Sequence, residues 1–332
     1  MTQGNPAGAK TKSGCCTPQR SPGATPSAQA AQPAAPARKT APKGMRALEG
    51  GAFIMGSDEG VYPEDGEEPA REIHVDPFHI DITAVTNRQF AQFVKATGYV
   101  TEAERFGWSF VFHSFLTPEA RKRAKGRPRE APWWRQTHGA YWRRPEGRDS
   151  NLEGRMDHPV VHVSWNDAVA YCEWAGKRLP TEAEFEYAAR GGLEQTLYPW
   201  GDELTPGGEH RCNIWQGRFP DVNTAEDGYL GTAPARSFPP NGFGLFNMVG
   251  NVWEWCADWF SPDYHMDGPR VNPAGPPEGQ ARVTKGGSYL CHDSYCVRYR
   301  LSARSSNTPD SSTGNMGFRC AVSAADGQET DR

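Results

Sequence analysis

The chain has 332 residues, of which 23% are charged and 37% hydrophobic, and its formal net charge is -4. No apolar run approaches the ~18 residues of a membrane-spanning helix, and the mild negative charge argues against a nucleic-acid binder that works by bulk electrostatics. Eight cysteines are too few for a disulfide scaffold in a chain of this length. The 36 glycines and 11 tryptophans indicate a folded, loop-rich protein with aromatic packing.

The first 45 residues differ in composition from the rest of the chain. Ala, Pro, Ser, Thr, Gly and Gln dominate residues 1–45, and bulky apolar side chains are nearly absent. Such a segment cannot bury enough surface to offset the entropy of ordering it, so we expect a disordered tail. It also lacks the apolar stretch of a secretory signal. We expect its two adjacent thiols, Cys15 and Cys16, to be exposed without a fixed role.

Residues 46–323 are predicted to form a single domain, followed by a flexible tail at 324–332. No linker-like composition interrupts this stretch. The segment GGAFIMGS at 50–57 predicts a strand that enters a turn. The segment EIHVDPFHID at 72–81 predicts a strand or a hairpin, with Pro77 at the break.

Three helices are predicted from a capping residue, an apolar face at helical spacing and a terminating glycine. They lie between these capping and terminating residues: Thr86 and Gly98, Ser164 and Gly176, Thr181 and Gly191. After Gly192 no long periodic helix is visible, so short strands and long structured loops are expected there. The basic run at 119–130 is predicted to be a solvated insertion, with contact to an acidic partner or nucleic acid as the alternative.

The segment GGSYLCHDSYCVRYR at 286–300 is the richest in reactive side chains. Cys291 and Cys296 are five residues apart, and Arg298 and Arg300 follow them. Cationic surroundings favour the thiolate form of a cysteine. Two thiolates without further protein ligands suit a soft, low-coordination ion such as Cu(I), whereas Zn(II) prefers four ligands. A small-loop disulfide or a pair of buried thiols is the alternative.

Oxygen-bearing side chains also recur in two glycine-rich loops. Asn213 and Asp227 lie within residues 212–231, and Asn247 and Glu254 lie within 247–255. Calcium prefers carboxylate, amide and carbonyl oxygens from such loops. Roles in turns and helix caps are the alternative for the same residues.

Many segments together carry a family likeness. Among them are GAFIMGS, HPVVHVSWNDAVAYCEWAGKRLPTEAEFEYAARGG, GNVWEW, GGSYLCHDSYC, NTPDSS and GFRC. With these segments the chain resembles the formylglycine-generating enzymes, or sulfatase-modifying factors, from about residue 47 to 322. GNVWEW and GFRC mark the broader superfamily, whereas the cysteine loop and NTPDSS mark the oxidising enzymes. The resemblance implies a mixed α+β (α/β) fold, loop-rich, with little regular secondary structure and C-type-lectin-like architecture.

The resemblance also implies an activity. Family enzymes use molecular oxygen to convert the cysteine of a Cys-x-Pro-x-Arg motif, in an unfolded or nascent sulfatase, to Cα-formylglycine. In the family the positions of Cys291 and Cys296 bind Cu(I), and the later cysteine is the more critical. Ser288 and Trp253 match residues that line the pocket for oxygen and the substrate thiol.

Two structural calcium sites are implied by the same resemblance. The first is formed by Asn213, Asp227 and the backbone carbonyls of Ile214 and Tyr229. The second is formed by Asn247, Glu254 and the carbonyls of Gly250 and Val252. In both, calcium is expected to tie down loops that lack regular hydrogen bonding.

The sequence departs from the secreted members of the family. Cys172 and Cys320 match one of their two disulfides, whereas Ala189 and Leu301 stand at the positions of the other. No glycosylation sequon or secretory signal is visible. Together these features predict a bacterial, cytoplasmic enzyme, in which Cys172 and Cys320 form a bridge or stay buried thiols. We expect a monomer with no nucleic-acid or membrane partner.

Two other functions compete with this interpretation. One is a non-haem iron oxygenase on the same scaffold, which would need a His/His/carboxylate triad on a separate helical bundle. The chain has neither room nor residues for that bundle. The other is a non-catalytic binding module, as in family paralogues that lost the cysteines. Cys291 and Cys296 argue against the module because both are present.

Overall fold

A computed structural model of the chain describes residues 17–20 and 40–325. Most of the predicted tails, including Cys15 and Cys16, lies outside these ranges. Within the predicted N-terminal tail, Thr17 and Arg20 are buried against the domain. No helix in the described ranges is long and apolar enough to cross a membrane.

The three predicted helices are confirmed, with their caps. Each begins after a residue that forms a capping box and ends before a glycine in the left-handed conformation. Three shorter helices were not predicted. In chain order the helices are α1 Asn87–Thr97, α2 Glu102–Phe106, α3 Pro118–Arg123, α4 Trp165–Ala175, α5 Glu182–Arg190 and α6 Tyr264–Asp267.

The strands are short, as expected for a loop-rich chain. They are β1 Met45–Leu48, β2 Gly51–Met55, β3 Arg71–Val75, β4 Phe78–Asp81, β5 Trp108–Phe112, β6 Trp134–His138, β7 Gly217–Arg218, β8 Val222–Asn223, β9 Trp253–Trp259, β10 Arg282–Lys285, β11 Arg304–Asn307, β12 Met316–Gly317 and β13 Ala321–Ser323.

Two small sheets organise the domain. One has the order β1-β4-β13, in which both pairs are antiparallel. The other has the order β11-β10-β9-β12, with β12 parallel to β9 and the remaining pairs antiparallel. Two-stranded sheets join β2 to β3, β5 to β6 and β7 to β8. This arrangement confirms the mixed, loop-rich fold class.

The hairpin alternative for residues 72–81 is wrong. β3 pairs with β2, whereas β4 pairs with β1 and β13, so the two neighbouring strands enter different sheets. Pro77 lies between them and has no backbone N–H to continue a ladder, which is why the chain changes sheet there.

The unpredicted elements cluster at residues 101–138, where α2, β5, α3 and β6 lie. The basic run at 119–130 forms α3 and the turn after it, and most of its side chains are exposed. The prediction of a solvated insertion is therefore confirmed for its surface, although the run includes a short helix.

The centre of the domain holds buried charges as well as apolar side chains. α5 packs against β10 and presents Glu186, which accepts from the Lys285 ammonium at 2.9 Å and from Arg190 at 2.7 Å. Burial raises the pKa of Glu186, but these two cations outweigh it and leave the pKa at about 2. Lys285 also donates to the carbonyl oxygen of Leu301 at 3.1 Å, so it ties α5 to the chain after the cysteine loop.

Three further arginines join the cysteine loop and β11 to distant segments. Arg298 pairs with Asp65, and Arg300 donates two hydrogen bonds to the Glu67 carboxylate at 2.6 and 2.8 Å. Arg304 forms the same forked arrangement with Glu182, with both bonds at 2.7 Å. All of these side chains are nearly fully buried. Forked pairs of this kind fix both distance and orientation.

The pair formed by Arg300 and Glu67 is expected to stabilise the fold strongly against loss of one partner. Arg300→Met should lower the free energy of unfolding by about 3–5 kcal/mol, because the Glu67 carboxylate stays buried without its counter-ion. In the double variant Glu67→Gln, Arg300→Met the loss should be smaller than the sum of the single losses. Urea denaturation of all four proteins measures this coupling, and strictly additive losses would contradict it.

A second prediction concerns pH. Burial and then the charge of Glu182 raise the pKa of Asp258 from 3.8 to about 8. Between about pH 4 and 8 the folded state therefore holds a proton that the unfolded chain has released, so stability falls as pH rises. The Asp258 carboxyl accepts from the backbone N–H of Glu182 at 2.8 Å, a bond that an amide oxygen can keep.

Asp258→Asn should therefore remove part of this pH dependence. The variant and wild type should match near pH 5, and the variant should be increasingly more stable towards pH 8, by at most about 1.4 kcal/mol per pH unit. Denaturant unfolding at pH 5, 6, 7 and 8 checks this. Two curves that stay parallel over this range would show that Asp258 is ionised throughout.

Candidate active site

The two predicted cysteines lie on the loop between β10 and β11. The loop leaves β10 through Gly286 and Gly287, with φ values of 90° and 72°. A Cβ atom at Gly287 would lie 2.8 Å from the carbonyl oxygen of Arg298, so only glycine allows the two ends of the loop to approach this closely. This crossing folds residues 288–297 back over the sheet.

The structure brings the Cys291 and Cys296 side chains together. Their Sγ atoms are 3.3 Å apart, and both thiols are buried and free. The backbone N–H of Cys296 donates to the His292 carbonyl oxygen at 2.6 Å, so a short turn positions the second thiol. Among residues 17–20 and 40–325 no three His, Cys, Asp or Glu side chains converge on one point. The pair therefore offers two sulfur donors.

Ser288 lies directly against this pair. Its backbone N–H donates to Cys291 Sγ at 3.4 Å, and its Oγ accepts from Asn315 Nδ2 at 2.9 Å. Asn315 also accepts, through its backbone oxygen, from the N–H of Trp253 at 2.9 Å. The predicted residues Ser288, Cys291 and Trp253 are thus linked through Asn315. Ser288, Trp253 and Asn315 are fully buried.

Sequence reasoning did not single out Asn315. The residue lies in the segment that carried the family likeness, but nothing in its spacing points to Ser288, which is 27 residues away. An asparagine just before a buried strand, here β12, was the available signal.

Half-buried aromatic rings border the second cysteine. Tyr295 stacks on Phe219 with ring centroids 4.5 Å apart, and Trp133 meets both rings edge-on at 4.9 and 5.0 Å. The backbone N–H of Trp215 donates to the Cys291 carbonyl oxygen at 3.0 Å and joins this cluster to the loop. The rings form a rigid apolar surface beside Cys296, of the kind that holds extended peptides.

The arginines of the loop differ from the expectation. Arg298 and Arg300 were expected to give the thiols cationic surroundings. Arg298 is instead paired with Asp65 and lies 3.9 Å from the Tyr62 ring centroid, and Arg300 is paired with Glu67. The two charges are therefore balanced by carboxylates, and the arginines anchor the loop.

The first predicted calcium set is compact. Asp227 accepts from the backbone N–H groups of Ile214 at 3.1 Å and Tyr229 at 2.9 Å. Burial raises the pKa of Asp227 despite these bonds. The buried Asn213 Oδ1 has no hydrogen-bond partner, although its Nδ2 donates to the Gly231 carbonyl oxygen at 2.8 Å. An acceptor left unpaired beside a carboxylate fits a cation ligand.

The second predicted calcium set has a competing partner. Both carboxylate oxygens of Glu254 accept from Arg319, each at 2.7 Å. The buried Asn247 Oδ1 has no hydrogen-bond partner, and Gly250 and Val252 lie in the turn before β9. Because a guanidinium already neutralises Glu254, this set suits a divalent cation less well than the first.

The remaining described thiols lie away from the pair. Cys172 and Cys320 have Sγ atoms 3.5 Å apart and are free, buried thiols in this structure. Burial raises the pKa values of Cys212 and Cys256 well above the ordinary range, as expected for inert core cysteines.

A cavity of about 200 Å³ lies behind the loop and was not predicted. Tyr289, His162 and Gly314 line part of it, and neither cysteine does. His162 Nδ1 is 2.8 Å from Ser109 Oγ, and burial lowers the pKa of this imidazole to about 3. His162 is therefore neutral at physiological pH, and the cavity is not a source of positive charge for the site.

Comparison with known proteins agrees with this arrangement. Residues 30–324 match the family described as sulfatase-modifying factor enzyme 1-like domain. A formylglycine-generating enzyme of Streptomyces coelicolor is 64% identical over 299 residues, which cover 90% of this chain and 95% of the relative. A bovine (Bos taurus) formylglycine-generating enzyme is 54% identical over 93% of this chain and 85% of its own. A mouse (Mus musculus) relative named inactive Cα-formylglycine-generating enzyme 2 is 48% identical, over 83% of this chain and 85% of its own.

Solved structures show the same fold. PvdO from Pseudomonas aeruginosa superposes with a TM-score of 0.60 at 26% identity, over 83% of this chain and 93% of its own. Treponema denticola variable protein 1 gives a TM-score of 0.55 at 21% identity, over 84% and 94%. The family match spans most of the chain and the 64% identical relative spans nearly all of it, so the chain belongs to the sulfatase-modifying factor enzyme 1-like family.

Proposed function

We propose that this protein oxidises the cysteine of a Cys-x-Pro-x-Arg motif in a sulfatase to Cα-formylglycine, with molecular oxygen as the acceptor and copper held by Cys291 and Cys296. The observation that carries the proposal is the pair of free, buried thiols 3.3 Å apart, backed by Ser288 and Asn315. The 64% identical formylglycine-generating enzyme supports the same activity.

The donor set fits copper. Two sulfur atoms face each other with no third His, Cys, Asp or Glu side chain converging within the described ranges. Soft thiolates select Cu(I) over hard cations, and a two-sulfur set leaves room for a thiolate from the substrate. Bound there, copper would supply the oxygen chemistry that no side chain provides.

The protein's own residues position the reactants. The Ser288 N–H donates to Cys291 Sγ, and Asn315 holds the Ser288 side chain in place. The aromatic surface of Trp133, Phe219 and Tyr295 offers a site beside Cys296 where the substrate chain can lie. Burial of both thiols excludes water and limits their oxidation in the absence of substrate.

The reaction has a defined electron balance. Conversion of the substrate –CH2SH to a thioaldehyde removes two electrons and two protons, and water then replaces sulfur to give the aldehyde. Reduction of oxygen to water needs four electrons, so an external thiol reductant must supply the other two. The substrate peptide loses about 18 Da overall.

The first test is loss of a single thiol. Cys296→Ala should abolish conversion of a Cys-x-Pro-x-Arg peptide, with at least a 100-fold loss of rate expected, because one of two sulfur donors is gone. Mass spectrometry detects the loss of about 18 Da, with and without added Cu(I). The matched control is Cys256→Ala, which removes a buried thiol outside the site and should keep most of the activity.

Unchanged activity in the Cys296→Ala protein would overturn the copper assignment. No conversion by wild type loaded with copper would instead favour the second candidate function, a peptide-binding module without turnover. The 48% identity to a relative named inactive is the observation that favours that candidate. Retention of the unconverted peptide on the protein would then identify it.

We further propose calcium at Asn213 and Asp227, with the carbonyl oxygens of Ile214 and Tyr229. Calcium at a concentration 100 times its Kd should stabilise the protein by about 2.7 kcal/mol, or roughly 5 °C in Tm. Chelation should reverse this gain, and Asp227→Asn should abolish the response. The control is Asp221→Asn, which changes an exposed carboxylate in the same segment. A calcium response that survives in Asp227→Asn would rule this set out.

The calcium set at Asn247 and Glu254, a monomeric state and a bacterial cytoplasmic location stay predictions. A reducing compartment fits the free Cys172 and Cys320 thiols, 3.5 Å apart.

A further inference from the structure

The N-terminal segment contains the motif that the proposed enzyme would act on. Residues 16–20 read Cys-Thr-Pro-Gln-Arg, so Cys16, Pro18 and Arg20 stand at the three specified positions of Cys-x-Pro-x-Arg. The position of Cys16 lies outside the described residues, but those of Thr17–Arg20 are described.

This segment lies in a groove beside the NTPDSS segment, residues 307–312. Asn307 Nδ2 donates to the carbonyl oxygens of Thr17 at 3.2 Å and Pro18 at 3.4 Å. The backbone N–H of Arg20 donates to Ser311 Oγ at 2.8 Å. The groove therefore contacts the backbone of the segment, which any peptide of this shape presents.

The Arg20 side chain fills a pocket made for a guanidinium. Its Cζ lies 4.2 Å from the Phe106 ring centroid and 4.0 Å from that of Trp108. It donates to the carbonyl oxygens of Asp310 at 3.0 Å and Trp108 at 2.9 Å, and to Ser312 Oγ at 3.1 Å. Aromatic faces and several acceptors in fixed directions select arginine over lysine.

The charges around the pocket favour a cation. Asp310, Glu102 and Asp167 each raise the pKa of Arg20, although burial outweighs them and lowers it to about 10. Arg20 therefore keeps its charge at neutral pH while only 5% of its surface is exposed. Gln19, at a position that the motif leaves open, is exposed.

The pocket lies within a short peptide's reach of the cysteine pair. Ser312, which contacts the Arg20 guanidinium, is three residues before Asn315, which donates to Ser288 beside Cys291. Three residues span at most about 10 Å, and the four-residue step from arginine to cysteine in the motif spans at most about 14 Å. A peptide whose arginine occupies this pocket is therefore long enough to bring its cysteine to the thiols.

We propose that the groove of Phe106, Trp108, Asn307 and Asp310–Ser312 binds the x-Pro-x-Arg part of substrate peptides, and that the protein's own Thr17–Arg20 occupies it as an internal competitor. The substrate class rests on the proposed function, whereas the occupancy rests on the contacts above. A sulfatase peptide must displace the segment before its cysteine can react.

Covalent attachment makes this competition strong. Nineteen residues separate Arg20 from Thr40, and a tethered segment of this kind reaches effective concentrations in the mM range. If segment and substrate each bind with a Kd near 0.1 mM, the segment raises the apparent Kd of the substrate about tenfold.

The test uses full-length protein and a fluorescent Ser-Thr-Pro-Gln-Arg peptide, which binds without reacting. Arg20→Ala should lower the apparent Kd of the peptide about tenfold, measured by fluorescence anisotropy. Gln19→Ala, which alters an exposed neighbour, should bind the peptide like wild type. A peptide ending in Ala instead of Arg should bind all three proteins weakly. Thermal melting confirms that the variants are folded.

A second measurement separates this proposal from the proposed function. With a reactive Cys-Thr-Pro-Gln-Arg peptide, Arg20→Ala should lower KM about tenfold and leave kcat unchanged. Adding a free peptide of residues 17–22 to this variant should restore the higher KM. Equal peptide affinity in wild type, Gln19→Ala and Arg20→Ala would overturn the competition, whatever the turnover. Tighter binding to Arg20→Ala without turnover in any protein would support the competition and overturn the oxidase.

Discussion

The cysteine loop depends on buried ion pairs between segments that are far apart in the chain. Arg298 and Arg300 bind Asp65 and Glu67, each 233 residues away, and Arg304 binds Glu182. The loop has little regular backbone hydrogen bonding of its own, so its position comes from these side chains. Since breaking such a pair leaves a charge buried without a partner, the arrangement is strongly specified.

These pairs also explain how two thiols can be held together without a covalent bond. The ends of the loop cross at Gly287, the arginines fix its C-terminal side, and Trp215 and Ser288 hold the first cysteine. Metal sites require this kind of support around their ligands, since a ligand that is free to rotate binds weakly. The charge of the arginines is used for this anchoring, because each faces a carboxylate.

The groove beside the NTPDSS segment extends the site from chemistry to recognition. The same stretch of chain contacts Arg20 through Ser311 and Ser312 and supports Ser288 through Asn315. A peptide bound in the groove and a cysteine at the thiols would therefore rest on one rigid segment. Recognition of the motif and placement of its cysteine are then parts of the same binding event, which places binding energy where it assists the reaction.

Local features of the fold were predictable because their causes are local. The capping boxes at Thr86, Ser164 and Thr181 and their terminating glycines involve residues within one or two turns, and all three helices formed as expected. The five-residue spacing of Cys291 and Cys296 likewise predicted that both thiols would meet. The hairpin at 72–81 failed because strand pairing joins segments that periodicity cannot match.

The amino-acid sequence by itself determined the helix ends, the loop-rich fold class, the family likeness and the identity of the paired thiols. The tertiary structure decided that Arg298 and Arg300 face carboxylates, that Asn315 supports Ser288, and that Thr17–Arg20 lies against residues 307–312. The physical reason is that these contacts join residues 27 to 292 positions apart, where no helical or strand period relates one partner to the other.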